Sequence, residues 1–515
     1  MLKKFIFVGI LVLTMTASIS CEDTNDFTEE NPSTGEVELE LNDPINNFIW
    51  KGLNSWYNWQ AESADLLDSK DDVQEDYYNF LNGYTDYRDL MYNLAYKHHS
   101  VVGSENAIDR FSWFIEDYEV QEQAFQGIRT RFGFTSKMIN LNDGSNKVVI
   151  LVAMVEPNSP AGEAQMKRGD LISGINGTVL NTSNYSSAYT DLSNETVTLS
   201  FVDEQDGKFT QLEDKTMTRA LVAANPIHFT KVFNNIGGKK VGYLVYNQFS
   251  GSFNDELNQA FADFNAAGVE EFVLDLRFNG GGSVLTSSLL ASMIYKPAGR
   301  GNFAELKFNQ KHTRENDIYR FENSNYIFST DGGFQGKEDL NRLNSVNRLY
   351  VITSGGTASA SEMIINGLKP YMSSVKLIGS TTYGKNVGSI TLYDAPANDY
   401  ASKTRANPTH KYAMQPIVFQ IFNKNGESDY IQGFAPDIEI NEYNYWNNLL
   451  PFGDPNEALL KAALDDISGV VSKQELSKAQ KQAKLIEISL PEEKFENEMY
   501  IDPVFSKKMK EGLIK

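Results

Sequence analysis

Gly355-Gly356-Thr357-Ala358-Ser359-Ala360-Ser361-Glu362, with Gly384-Lys385 downstream, is the stretch on which the reading of the fold turns. Small residues crowd a serine just ahead of an expected helix over 363–368. An apolar run, Leu349-Tyr350-Val351-Ile352-Thr353, precedes it as an expected strand. On a strand-to-helix turn a serine is presented to a ligand, and the backbone N–H groups beside it point toward bound negative charge. A serine hydroxyl is a weak nucleophile at neutral pH unless a proton acceptor lies beside it. Lys385 is a candidate base, provided burial destabilises its ammonium form. Thr357, Ser359 and Ser361 compete for the nucleophile role. Ser359 has small residues on both sides, whereas Ser361 and Glu362 suit the cap and charge of a first helical turn.

Strands and helices alternate around this stretch, so residues 216–450 read as an α/β core. Expected strands cover 240–246, 271–277 and 375–379, an amphipathic helix covers 253–264, and a further helix covers 285–295. The strand at 271–277 ends in Phe278-Asn279-Gly280-Gly281-Gly282-Ser283. Its glycines leave backbone N–H groups unshielded, which suits an oxyanion hole and equally a phosphate-binding turn. Residues 379–385 fit the G-x-x-x-x-G-K part of a nucleotide-binding loop. Asn386 stands where Ser or Thr should hold magnesium, and 387–392 reads as a strand where a helix is required, which excludes that loop. The histidines are His98, His99, His228, His312 and His410, and none sits in a local catalytic signature. The pair His98-His99 lacks helical metal-ligand spacing and reads as surface.

In front of this core the pattern is one of short strands, over 118–215. Lys147-Val148-Val149-Ile150-Leu151-Val152-Ala153-Met154-Val155 is followed by Ser159-Pro160-Ala161, Gly169-Asp170-Leu171-Ile172 and Ile175-Asn176-Gly177. This succession of strand, short helix, strand and hairpin turn resembles a PDZ domain. Phe132, Gly133 and Phe134 match the loop that caps a peptide carboxylate in that family. There, N–H groups of a tight loop hold a chain end while the adjacent strand edge pairs with the peptide. Residues 43–117 read as an aromatic-rich helical bundle, and 451–515 as a helix (457–467) and a charged tail.

The 515 residues, 41% hydrophobic and 22% charged, describe a globular protein of several domains. A net charge of −22 argues against nucleic acid as a partner. The basic leader Met1-Leu2-Lys3-Lys4 and the apolar run 5–19 are too short for a membrane span and suit a secretory signal. The run ends at Ser18-Ile19-Ser20-Cys21, which resembles a bacterial lipoprotein signal (1–21), with Ser18 departing from the usual aliphatic residue. It implies lipid attachment at Cys21, the one cysteine of the sequence, followed by a flexible tether over 22–42. The protein is then expected to be anchored to a bacterial membrane in the cell envelope.

Asp275-Leu276-Arg277-Phe278-Asn279-Gly280-Gly281-Gly282, Thr357-Ala358-Ser359-Ala360-Ser361-Glu362, Tyr383-Gly384-Lys385 and Gly433-Phe434-Ala435-Pro436-Asp437, in this order behind a PDZ-like region, resemble the carboxyl-terminal processing (tail-specific) serine peptidases. The resemblance covers about 118–445. It implies a multidomain α/β protein whose core is built of crotonase-like ββα units. It also implies Ser359 as nucleophile, Lys385 as general base, and the N–H groups of Ala360 and Gly281 or Gly282 as oxyanion hole. Substrates would be unfolded polypeptides or their C-terminal ends, and no metal or organic cofactor is implied. Gly280 replaces the family's proline, the Ser359-to-Lys385 spacing is one residue longer, and Ser389 stands where a glutamine orients the lysine. The alternative is a non-catalytic peptide- or hydrophobic-ligand-binding protein on the same fold, and the retention of both Ser359 and Lys385 favours the enzyme.

Overall fold

The computed structural model describes residues 39–296, 301–470, 476–488 and 498–501. The expected signal 1–21, its Cys21 and tether residues 22–38 lie outside them. By contacts the chain divides into Met1–Glu40 and Leu41–Lys515.

Asp43 opens the first helix, Pro44–Trp56. Its carboxylate accepts from Ile45 N at 2.9 Å, and Pro44 occupies the first turn, where a missing N–H costs nothing. Phe48, Ile49, Leu53 and Trp56 repeat at helical spacing and are buried. These side chains join the same apolar cluster as Leu274, Leu285 and Met363, so the N-terminal helices share the core of the α/β region. His98 corrects the surface reading: it is buried, with Nε2 2.9 Å from the Ser112 carbonyl and its ring stacked on Tyr92.

The PDZ-like region is a sheet in which strands Phe134–Asn140, Val148–Val155, Leu171–Ile175 and Thr196–Gln205 are neighbours in that order. Its core gathers Phe132, Ile150, Ile172, Tyr189 and Leu199, including residues of the short helix Tyr185–Tyr189.

The α/β region rests on a sheet ordered Ile227–Ile236, Lys239–Tyr246, Glu271–Asp275, Arg348–Thr353, Ser374–Gly379 and Ile438–Glu439. From Lys239–Tyr246 onward every pairing is parallel. Its central strands are wholly buried, as continuous apolar runs require. Helix Asn254–Ala267 covers one face, with acidic residues in its first turn and Gly268 at φ 72° as its left-handed stop. Helix Ala458–Ser468 covers the other.

A second sheet contains Gly282–Ser283, Met499–Tyr500, Val387–Ser389, Ile417–Phe422, Asn302–Phe308 and Asp317–Arg320. Met499–Tyr500 comes from the segment read as a charged tail, and it lies parallel to both of its neighbours. A second piece of the same segment, Lys484–Ile486, pairs antiparallel with Phe134–Asn140 of the PDZ-like sheet. The tail reading is therefore corrected for these residues, which are built into two sheets.

Candidate active site

Strand Arg348–Thr353 carries the chain into a turn that is tied down on several sides. Thr357 Oγ1 donates to the Leu276 carbonyl at 2.8 Å, and Ala358 N donates to the Asn279 carbonyl at 3.2 Å. Helix Ala360–Leu368 begins directly after Ser359, three residues earlier than expected. Ser359 has φ 61° and ψ −117°, a conformation that side-chain-bearing residues rarely adopt. Ser361 does not cap the helix as expected. Its hydroxyl donates to the Asn279 carbonyl at 2.9 Å, which ties the serine turn to the glycine turn.

Glu362 organises what surrounds Ser359. Its Oε2 accepts from Ser359 N at 3.0 Å and from Lys385 N at 2.8 Å. Its Oε1 accepts from Thr382 Oγ1 at 2.6 Å and Gly384 N at 2.7 Å. One carboxylate oxygen thus bridges the backbones of the expected nucleophile and base. Burial lifts the Glu362 carboxyl above its usual range, against the pull of those hydrogen bonds. The sequence contained a signal for this contact in Ser359-x-x-Glu362, the spacing of a capping box, which a helix begun at 363 hides.

The Lys385 loop has further supports. Gly384 holds φ +88°, where a side chain would also meet the Ile431 carbonyl. Phe434 N donates to Thr382 Oγ1 at 2.7 Å, and Asp437 Oδ2 accepts from Leu377 N at 2.7 Å, so the Gly433–Asp437 motif is a buttress. Arg110 Nη2 donates to the Gly384 carbonyl at 2.7 Å. The chain then enters strand Val387–Ser389, in agreement with the exclusion of a nucleotide loop.

Ser359 and Lys385 are both wholly buried. Lys385 Nζ lies 4.6 Å from the centre of the Phe111 ring and 3.1 Å from Glu498 Oε2. Burial lowers the lysine's pKa, opposed by the charges of Glu498, Asp109 and Glu362. Burial also raises Glu498, to about 7, opposed by Lys385. Both shifts favour the neutral forms. Nothing in the sequence around Glu498 announces this contact.

Of the expected oxyanion donors, Ala360 N is the first helical N–H and has no carbonyl one turn behind it. Gly281 N donates to Asn279 Oδ1 at 2.9 Å. A β-carbon on Gly281 would lie 2.6 Å from Ser359 Cβ, 3.2 Å from Ala360 N and against the Glu498 carbonyl oxygen, so serine, helix start and glycine turn converge there. Gly282 holds φ +134° against Phe249. Ser389 Oγ donates to the Met499 carbonyl at 3.0 Å, lies 3.4 Å from Glu498 Oε2 and accepts from Gln415 Nε2 at 2.9 Å. Among these contacts it reaches Lys385 through Glu498.

Beside this centre opens a cleft of about 1090 Å³, lined by Arg131, Glu156 and His228, by Gly280, Gly281 and Gly282, and by Glu498 and Tyr500. Burial pushes His228 down to about 4. On the PDZ-like side, Phe132 is buried and Gly133 sits at φ +85°, with its carbonyl accepting from Glu156 N at 2.8 Å. Phe134 begins the strand that lies between Lys484–Ile486 and Val148–Val155. Beneath the glycine turn, Arg277 is fully buried and bonds Asp275 (2.7 Å), Glu442 (2.6 Å) and Glu457 (2.8 Å). Arg168, from the PDZ-like region, reaches the same Glu442 at 2.6 Å.

Parallel core, glycine turn and PDZ-like sheet define the class: a PDZ domain joined to a peptidase-type α/β core. Residues 240–440 match Peptidase family S41, and residues 122–201 match the PDZ domain. The chain thus carries an S41 peptidase region behind a PDZ domain, and proteins described as carboxyl-terminal processing peptidases resemble it. It is similar to the chloroplastic C-terminal processing peptidase of Tetradesmus obliquus, with 27% identity over 48% of this chain and 50% of that protein. It is likewise similar to the chloroplastic carboxyl-terminal-processing peptidase 2 of Arabidopsis thaliana, with 24% identity over 59% and 57%. The match thus spans about half the length of these curated relatives. A crystal structure from Bacteroides fragilis NCTC 9343, described as an S41 protease, aligns at 27% identity and TM-score 0.62, over 82% of this chain and 98% of that one.

Proposed function

We propose that this protein is a serine endopeptidase of the C-terminal processing type, which cleaves extended polypeptides with Ser359 and Lys385. The observation that carries this reading is the shared Glu362 oxygen, which ties both backbones together around two buried side chains. Neutral Lys385 takes the Ser359 proton as the hydroxyl attacks the scissile carbonyl. The Ala360 N–H stabilises the resulting oxyanion, joined by a glycine N–H of 281–282 once the Asn279 side chain lets go. The amine leaves with a proton, and water, deprotonated by the same lysine, releases the acyl group. Phe132, Gly133 and Phe134 form the peptide-binding end of the PDZ groove. Ser389 helps to orient the lysine, acting through its hydrogen-bonded neighbours. Cys21 bears the lipid that holds the protein to a bacterial membrane. Among the described residues no helix is long and apolar enough to cross one.

The test is cleavage of casein by wild type, Ser359→Ala and Lys385→Ala, followed by mass spectrometry of the fragments. Loss of cleavage in both variants is expected, and equal cleavage by all three overturns the assignment. Palmitate labelling that is lost in Cys21→Ser checks the anchor.

A further inference from the structure

Lys484–Ile486 lies on the exposed edge of the PDZ-like sheet as an added antiparallel strand. Its register, with Lys484 opposite Asn140 and Ile486 opposite Met138, runs it toward the 131–134 loop. Ile486 and Ile488 pack on the cluster that contains Phe132, Ala188 and Tyr189. An extended peptide that pairs with a sheet edge and drops alternate side chains into an apolar groove is being held as a ligand.

The same segment returns at 498–501. Met499–Tyr500 fills the space between Gly282–Ser283 and Val387–Ser389, the strands that follow the glycine turn and Lys385. Met499 is wholly buried, and Tyr500 stacks on Phe125 at 3.9 Å and donates to its carbonyl at 2.9 Å. The Glu498 carbonyl oxygen lies at the convergence of Ser359, Ala360 and Gly281, while its carboxylate lies on Lys385 Nζ. With this segment in place, neither Ser359 nor Lys385 is reachable from solvent.

We infer that residues 484–488 and 498–501 act as an intramolecular inhibitor, the first occupying the PDZ groove with Ile486 and Ile488 and the second the catalytic slot with Glu498, Met499 and Tyr500. The inference rests on the peptidase reading for its catalytic part and on geometry alone for its binding part. The Glu498 side chain occupies the hydrogen-bonding position of the Lys385 amine, 3.1 Å away, and the strand takes the backbone positions a substrate needs. The same contacts describe the ligand class that displaces it: an extended chain with apolar residues at alternate positions for the groove, followed downstream by a segment able to add as a parallel strand.

The experiment uses the full-length chain. A fluorescein-labelled peptide with the sequence of residues 480–501 is titrated by anisotropy into Ser359→Ala and into the same protein carrying Ile486→Asp and Glu498→Gln. A tethered competitor weakens binding of a free one, so the intact protein is expected to bind the peptide at least roughly tenfold more weakly than the altered one. Equal binding overturns the inference, whatever the catalytic result. In parallel, casein cleavage by Ile486→Asp and by Glu498→Gln is expected to exceed wild type by roughly tenfold if about a tenth of wild type is open. Wild-type or lower rates in both, with wild type active and Ser359→Ala inactive, overturn it and leave the peptidase reading standing. Those rates would make the segment a component of the site. Ser359-dependent loss of the tail from purified wild type, read by intact mass, also overturns it, because the segment is then a product of the enzyme. If no variant cleaves casein yet the binding difference appears, the catalytic reading fails and the docked tail stands.

Discussion

Ser359 holds a backbone conformation that side-chain-bearing residues avoid, and strain of this kind amounts to about 1–3 kcal/mol. Glycine adopts it freely, at an unfolded-state entropy cost of about 0.5–1 kcal/mol. Ser359→Gly is therefore expected to abolish cleavage while raising the unfolding free energy by about 1 kcal/mol. Denaturant unfolding checks this, and a loss of stability would show that the turn is unstrained. The serine stood out because small residues crowd it, and the lysine through Tyr383-Gly384-Lys385, a motif of the peptidases the sequence resembles. The role of Glu362 across to Lys385 was not legible, because the carboxylate serves three backbone N–H groups on two stretches distant in sequence. Glu498 was illegible for a different reason. A lone glutamate in a charged tail has no local pattern, and its partner Lys385 is distant in sequence.

At the level of elements, the inner strands Lys239–Tyr246, Glu271–Asp275 and Arg348–Thr353 could be read because each is a mainly apolar run buried for most of its length, whereas Ile227–Ile236, little buried, was not read. The pieces Lys484–Ile486 and Met499–Tyr500 could not, being too short to show a period and stabilised by edges contributed from other regions. The cluster under the glycine turn explains why Asp275 and Arg277 are spaced as they are. The arginine lies beneath the turn and neutralises Asp275, Glu442 and Glu457 at once. Arg277→Met leaves Asp275 buried without its cation and Glu442 and Glu457 with Arg168 alone, at about 3–5 kcal/mol. A large fall in melting temperature and loss of cleavage are expected, and thermal unfolding of the purified variant checks it. Arg168 brings a second guanidinium to Glu442 and Glu457 from the PDZ domain, so domain and core share one charge network.

For the whole molecule, burial lowers the Lys385 pKa while Glu498, Asp109 and Glu362 oppose that shift. The base works deprotonated, so kcat/KM should rise with pH through an apparent pKa below the ordinary lysine value. A pH–rate profile checks this, and a flat profile across the neutral and alkaline range counts against a lysine base. The architecture followed from ordered motifs, whereas the sharing of one core by the N-terminal helices and the α/β region depends on packing that no local pattern records. The channel now filled by Met499–Tyr500 has polypeptide backbone along both walls, Gly282–Ser283 on one and Val387–Ser389 on the other. Neighbouring strands sit about 4.8 Å apart, which leaves roughly 10 Å between the two walls. A helix needs about 10–12 Å for its own girth before it can touch anything. A passage of that width has room for one extended strand and is too narrow for a helix.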